Sequence, residues 1–363
     1  MRKIRVLSLF DGIGIARQAL KELGYETVYY ASEIDERAMQ ITQKNHPSTR
    51  QLEDVQALEA IHLLDHGDFD LVVGGSPCQD TSVSGKRKGL DGEQSRLLWE
   101  YVRLVKEISP RYFILENVAS MSKDAKERIT QALWGIEPVL IDAALVSAQR
   151  RSRLFWVGRS TSLCGRYTQV PIAQPQDQGI YVKDILDDDI EGMKIYNLLS
   201  SDEHLVSRFI ERQQDTWKKD RPINVARIGK GKQDQRVYST EGKGVCLNRY
   251  NHGFYMIADR DKVPQGEPRK IWTDEKGRLR IAGHREQKEG LGGYPGKTLK
   301  EYFRKLTPVE CERMQSLPDG YTAGLPKIVR WGLLGNGFNC AVIKHILSTI
   351  NLTGGGGGDY DRR

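Results

Sequence analysis

Between residue 3 and about residue 160 the chain alternates short β-branched runs with helix-length amphipathic stretches. That alternation is the mark of an α/β fold built from βαβ units around a parallel sheet. "KIRVLSLF" (3–10) reads as a first strand. "GIARQALKELG" follows, with Ala16, Ala19, Leu20 and Leu23 on one helical face and Gly24 at the stop. The pattern then predicts a strand over 27–33, helices over about 36–45 and 54–66, and a strand over 69–75. A helix over 95–108 runs through Leu98, Tyr101, Val102, Val105 and Ile108 and ends at Ser109-Pro110, because the residue before proline is pushed out of the α region. Strands are expected over 112–118, 138–145 and 153–159.

After about residue 160 the apolar periodicity weakens, and signals for short strands and turns replace long helices. From 218 to 305 Lys and Arg outnumber Asp and Glu roughly two to one, interleaved with Tyr238, Tyr250, His252, Phe254, Tyr255 and Trp272. Basic residues mixed with aromatics suit a surface laid along a phosphate backbone, or simply a solvated face. Near 305 regular texture returns, where Thr307-Pro308-x-Glu310 is a helix start with cap, proline and acid. These shifts divide the chain into 1–164, a second domain over 165–302, a return to the first over 303–352, and a flexible glycine-rich tail over 353–363.

The formal net charge of +7 and a pI near 9.0 fit a polyanion partner. No stretch approaches the roughly 20 apolar residues of a membrane span, so a cytoplasmic address is expected. Five cysteines (Cys78, Cys164, Cys246, Cys311, Cys340) are odd in number and scattered without a CxxC pair, which favours neither a disulfide framework nor a zinc site.

Several short segments carry chemistry. "LFDGIGIA" joins the first strand to the first helix through two glycines, and Glu33 closes the second strand about 20 residues on. That arrangement suits a nucleoside-bearing cofactor with a carboxylate on ribose hydroxyls, and the incomplete GxGxxG spacing argues against a pyrophosphate. A glycine-rich structural turn is the other reading. Asp54 is either an adenine-amine acceptor or a helix N-terminal acid. "GGSPCQ" sets Cys78 just past a buried strand, with Pro77 stiffening the loop and keeping Ser76 extended. A rigid thiol there reads as a nucleophile, whereas the other cysteines read as packing residues. "LENV" drives Glu116 and Asn117 to the same sheet edge, as an acid–base group or as a carboxylate satisfied by backbone donors. "AQRRSRLFW" carries Gln149, Arg150, Arg151 and Arg153; strand period two would send Arg151 and Arg153 to one side, where they lower a thiol pKa or form a surface cluster.

Taken in order, "FDGIG", Glu33, Asp54, "GGSPCQ", "ENV", "QRRSR", the variable basic region and "GNGF" resemble the DNA (cytosine-5)-methyltransferase family over roughly 1–160 and 303–350. "PCQ" and "QRRSR" are closer to its bacterial and phage members, which implies a cytoplasmic, nucleoid-associated protein. The resemblance implies a Rossmann-like, mostly parallel-sheet methyltransferase domain with a smaller, irregular β-rich target-recognition domain. It implies S-adenosylmethionine as cofactor, with Phe10, Asp11, Gly12 and Gly14 around its methionine and adenosine. Glu33 and Ile34 would meet the ribose and adenine, Asp54 and Val55 the adenine, and Pro77, Leu97 and Asn336 would complete the pocket. Cys78 would attack carbon 6 of a flipped-out cytosine. Glu116 would serve ring nitrogen 3 and the exocyclic amine, Asn117 would order the loop, and Arg153, supported by Arg151 and Gln149, would hold the base carbonyl. The loop 82–96 would close over the base, with Ser82 and Arg87 on DNA. Residues 165–302 would read flanking sequence, with Arg227, Arg236, Arg249 and Tyr250 as candidates. A monomer acting on duplex DNA is the expected assembly. Two features depart from the family pattern: Ile34 stands where many relatives carry an aromatic, and Gly337 and Phe338 occupy variable positions of the last motif. The rival readings are a tRNA cytosine methyltransferase on the same scaffold, a non-catalytic DNA-binding homologue and, less favoured, a nicotinamide enzyme.

Overall fold

A computed structural model describes residues 2–52, 54–65, 67–76, 93–161, 165–188, 193, 195–200, 218–227, 236–248, 253–257, 269–273, 279–281 and 297–353. The chain divides into two compact units. Unit 1 comprises Met1–Asp142, Ser152–Gln176 and Gly337–Arg363, and unit 2 comprises Ala143–Arg151 and Asp177–Asn336.

Unit 1 is built on strands β1 (Ile4–Leu9), β2 (Thr27–Ser32), β3 (Arg50–Gln51), β4 (Leu71–Gly75), β5 (Tyr112–Val118), β6 (Val139–Asp142), β7 (Ser152–Ser160) and β8 (Tyr167–Gln169). They pair in the order β3-β2-β1-β4-β5-β7-β6, with β8 on β7. The first five are parallel, and β7 runs antiparallel to β5, β6 and β8. Chain order reverses on either side of β1, and in open parallel sheets that reversal leaves a crevice at the carboxyl strand ends. The central strands are buried on both faces, which is why "LVV" and "YFIL" read as unbroken apolar runs instead of alternating ones.

Helices α1 (Ile15–Glu22), α2 (Glu36–Asn45), α3 (Ala60–Leu64), α4 (Glu93–Ile108) and α5 (Lys123–Ala132) connect these strands. The helix expected over 54–66 is instead a 3-10 turn, Val55–Ala57, followed by α3. The break comes from Leu58 and Glu59, whose extended backbone (ψ 125° and 126°) interrupts the helical path. Helix α5, which the sequence expectations do not include, buries Ala125, Ile129 and Thr130 and is capped by Ser122, whose Oγ accepts from Ala125 N at 3.1 Å. The strand expected over 138–145 stops at Asp142 and passes into a 3-10 turn at Ala143–Leu145.

Among the described residues, unit 2 holds a sheet of β9 (Ile195–Ser200), β10 (Asn224–Arg227), β11 (Arg236–Tyr238), β12 (Phe254–Ile257), β13 (Arg269–Thr273), β14 (Leu279–Ile281) and β15 (Lys297–Arg304), in the order β10-β11-β12-β15-β9-β13-β14. Helices α6 (Pro308–Met314) and α7 (Lys327–Asn336) belong to it, while α8 (Cys340–Ser348) belongs to unit 1 and packs on α1, where Lys344 meets Glu22 at 2.6 Å. Sequence texture placed the domain changes at 164 and 302; the chain instead passes between units at Gln176 and Asn336, and Ala143–Arg151 joins unit 2. The reason lies in buried polar clasps that texture does not report. Arg304 forks onto both oxygens of the buried Glu310 at 2.7 and 2.6 Å, and Glu310 also accepts from Thr307 N and Asp187 N. Segment 143–151 is laced to 243–247 through Gly244 N to Ala148 O at 2.5 Å and Arg150 N to Gly244 O at 2.9 Å.

Candidate active site

The loop after β1 is shaped by three left-handed residues: Phe10 (φ 57°), Gly12 (φ 60°) and Gly14 (φ 74°). Glycine takes this conformation freely, whereas an aromatic residue there costs on the order of 1–2 kcal/mol. The loop is tied to the end of β2, because Asp11 N donates to Ser32 O at 3.1 Å and Gly12 N donates to Glu33 Oε2 at 2.8 Å. Glu33 Oε1 accepts from Ile34 N and Asp35 N at 2.8 and 2.9 Å, so the carboxylate is oriented by three backbone donors. Beside it Ile34 is 70% exposed, an apolar surface open to a planar ring. Asp54 caps the 3-10 turn by accepting from Gln56 N at 2.9 Å; Val55 is buried and Leu97 is half-buried against the core.

Beneath the loop lies a layer that sequence reasoning missed. Tyr29 Oη donates to Asp11 Oδ1 at 2.7 Å, the Arg17 guanidinium lies 5.2 Å from the Tyr29 ring centre, and Arg17 reaches Ser48 Oγ at 2.6 Å and Thr49. Burial pushes the Asp11 carboxyl up to about 6, against hydroxyl donors and Arg17 that pull it down. His46, below Gly14, is lowered to about 4 by burial and by Arg17. In the sequence, Arg17 stands beside the apolar face of α1 and not on it, so nothing there marked it as buried.

The glycines of "VVGG" let β4 pass between crowded neighbours. A Cβ on Gly74 would meet Leu9 O at 2.8 Å and the Tyr101 ring at 3.0 Å, and one on Gly75 would meet Phe338 Cε1 at 2.7 Å and Glu116 Oε2 at 3.0 Å. Gly75 and Glu116 are register partners of β4 and β5. Arg153, on antiparallel β7, places Nε 2.8 Å from Glu116 Oε1, with both side chains mostly buried. Asn117 is buried, donates to Ser76 Oγ at 3.1 Å and accepts from Val118 N at 2.8 Å, so it fixes the last residues before "PCQ". Cys78 and Pro77 themselves lie outside the described residues, as do Ser82, Arg87, Arg249 and Tyr250.

The remaining residues of the arginine motif fall in unit 2. Gln149 is fully buried, donating to Met314 O and Gln315 Oε1 at 3.3 and 3.2 Å and accepting from Leu247 N at 2.8 Å. Arg151 precedes β7, so it does not share that strand's alternation with Arg153, contrary to the period-two expectation. Its guanidinium is buried and directed to Leu247 O at 3.1 Å and Gly335 O at 3.3 Å. Asn336 ends α7 and is exposed. Arg227 and Arg236 are antiparallel register partners on β10 and β11. Of the remaining cysteines, Cys311 and Cys340 are buried and Cys246 half-buried; burial raises the Cys311 thiol and pushes Cys340 up to about 12, which suits packing rather than nucleophilic chemistry. Among the described residues no helix is long and apolar enough to cross a membrane.

The chain as a whole is similar to known proteins. The sequence profile of the C-5 cytosine-specific DNA methylases matches residues 4–352. The type II methyltransferase M.HhaI of Haemophilus parahaemolyticus is 26% identical over 358 residues, which cover 96% of this chain and 94% of that protein. The orphan methyltransferase M.SPRI of Bacillus phage SPR is 24% identical, over 96% of this chain and 98% of its own length. Among solved structures, a DNA modification methyltransferase encoded within an Escherichia coli prophage superposes with a TM-score of 0.59 at 20% identity, over 96% of this chain and 98% of that one. A DNMT2 variant of Spodoptera frugiperda gives 0.60 at 18% identity, over 96% and 99%.

Proposed function

This chain belongs to the C-5 cytosine-specific DNA methylase family, and from that premise we propose that it methylates cytosine carbon 5 within a defined sequence of duplex DNA, through a covalent bond between Cys78 and carbon 6. The observation that carries the reading is the strand-edge group: Glu116 held by Arg153 at 2.8 Å, beside Asn117 anchoring Ser76 two residues before Cys78.

Carbon 5 of cytosine is a weak nucleophile. Addition of the Cys78 thiolate at carbon 6 forms a carbon–sulfur bond and moves the ring electron pair toward nitrogen 3 and carbon 5. Glu116 donates a proton or hydrogen bond at nitrogen 3 as that charge develops. Arg153 keeps the carboxyl in place through Nε, and its remaining N–H groups suit the base carbonyl. When carbon 5 has gained its methyl group, water takes the carbon 5 proton, the freed electron pair re-forms the carbon 5–carbon 6 double bond and expels the Cys78 thiolate, and nitrogen 3 returns its proton to Glu116. The base must leave the duplex to reach these groups, at a cost of roughly a few kcal/mol.

The residues after β1 and β2 fit S-adenosylmethionine: exposed Ile34 offers an apolar face, and Glu33 keeps lone pairs for ribose hydroxyls beyond those its backbone donors occupy. When bound, S-adenosylmethionine supplies an electrophilic methyl group. Phe10, Gly12, Gly14 and Glu33 would hold it, with Asp54 toward the adenine. The basic sheet of unit 2, including the Arg227–Arg236 register pair, suits recognition of the flanking DNA.

The test is incubation with S-adenosylmethionine and duplex DNA containing 5-fluorocytosine, followed by denaturing electrophoresis and peptide mapping. Fluorine cannot leave carbon 5 as a proton, so an adduct mapped to Cys78 is expected. Adduct formation with substituted tRNA alone would move the assignment to RNA, and none with either, despite bound cofactor and DNA, would refute the reading.

A further inference from the structure

We propose that Phe338 is a positioning residue for the Glu116 carboxyl group, acting across Gly75; the inference rests on the role assigned to Glu116 above. Glu116 Oε1 is taken by Arg153 Nε at 2.8 Å. The other oxygen faces the register partner Gly75, and the space a Cβ would occupy there is bounded by Glu116 Oε2 at 3.0 Å and by Phe338 Cε1 and Cζ at 2.7 and 3.2 Å. Ring edge and carboxyl oxygen therefore close on the same small volume over one glycine.

The ring is well placed for this. Phe338 is 8% exposed, and the next residue, Asn339, is the N-cap of α8, accepting from Val342 N at 3.2 Å. Helix α8 is in turn packed on α1, so the ring is anchored independently of the strand it presses on. With Arg153 on one oxygen and the Phe338 edge limiting the space around the other, the carboxyl rotamer has little room to swing. A shorter side chain opens that space to water and to other Glu116 rotamers. A proton donor displaced by about 1 Å loses as much as about 100-fold in rate.

The test compares wild type with F338A and F338L, and with E116Q as reference. Three quantities are read: kcat for methyl transfer to duplex DNA, cofactor Kd by calorimetry, and the 13C carboxyl resonance of Glu116 identified by its loss in E116Q. The expected result is a fall in kcat of at least about tenfold in F338A, with partial recovery in F338L, cofactor Kd within about threefold, and a shifted Glu116 resonance. F338L retains most of the buried volume and answers the question should F338A fail to fold. An unchanged kcat, or a loss of cofactor affinity equal to the loss of kcat, overturns the proposal and makes Phe338 a packing or cofactor-facing residue. If wild type itself transfers no methyl to DNA, the parent reading falls, and the Glu116 resonance alone decides: a shift in both variants upholds positioning, and no shift overturns it.

Discussion

Arg153 Nε lies 2.8 Å from Glu116 Oε1, a contact made by the antiparallel pairing of β7 with β5 and not by proximity in the chain. The register sets Arg153 opposite Val118, one diagonal step from Glu116, within reach of a long side chain. A strand running the other way would lack that pairing.

Replacing Glu116 with Gln keeps the shape and removes the carboxyl group proposed to serve nitrogen 3, so kcat is expected to fall about 10²–10⁴-fold with DNA and cofactor affinities little changed. Arg153→Lys is expected to behave nearly as badly, because an ammonium cannot reproduce the guanidinium fork. Single-turnover methyl transfer checks both; wild-type rates in E116Q would remove Glu116 from the chemistry.

Asn117 and Ser76 are expected to be energetically coupled. Either Asn117→Ala or Ser76→Ala leaves a buried polar partner unsatisfied, costing about 1–3 kcal/mol, and the double variant should be less damaging than the two effects added. Urea unfolding of the four proteins measures the coupling. Strict additivity would show that the 3.1 Å hydrogen bond contributes nothing.

Asp11 makes stability depend on pH in an identifiable window. Its carboxyl is raised from 3.8 to about 6 by burial, so the folded protein prefers it protonated. Its contribution is therefore greatest below pH 4, declines as pH rises from about 4 to 6, and is flat above. Asp11→Asn stays neutral and still accepts from Tyr29. Relative to wild type it is expected to gain stability between pH 4 and pH 7 by up to about 3 kcal/mol. An equal difference at pH 4.5 and 7.5 in urea titrations would refute this.

Gly74 and Gly12 should respond differently to alanine. At Gly74 the new methyl meets the Leu9 carbonyl at 2.8 Å, a backbone atom of the adjacent strand that cannot turn aside. A loss of about 1–3 kcal/mol in thermal unfolding is expected. Gly12 has open space but φ 60°, so Gly12→Ala should cost about 1 kcal/mol and appear mainly as weaker cofactor binding by calorimetry. The reverse order of stabilities would contradict the geometry.

Much of unit 1 was legible in the sequence because its information is local. Parallel strands buried on both faces appear as continuous apolar runs, and β1, β2, α2, β5 and β7 fall within a residue or two of their predicted limits. The loop glycines, Glu33, "ENV" and the Thr307–Glu310 capping box were equally visible, since turns and caps depend on residues a few positions apart. What sequence by itself determined, then, was the α/β scaffold and the chemical character of the strand ends.

Tertiary structure decided which of those groups meet. The helix across 54–66 was broken by an extended pair that periodicity does not register. Arg151 and Arg153, two residues apart, part company at the start of β7: one is clasped by carbonyls in unit 2, the other grips Glu116 in unit 1. Tyr29 beneath Asp11, and Phe338 against Gly75, are likewise products of strand order and of where the last helix packs. The physical reason is range: propensity and hydrophobic period act over a few residues, whereas register and buried polar pairing join side chains remote in the chain.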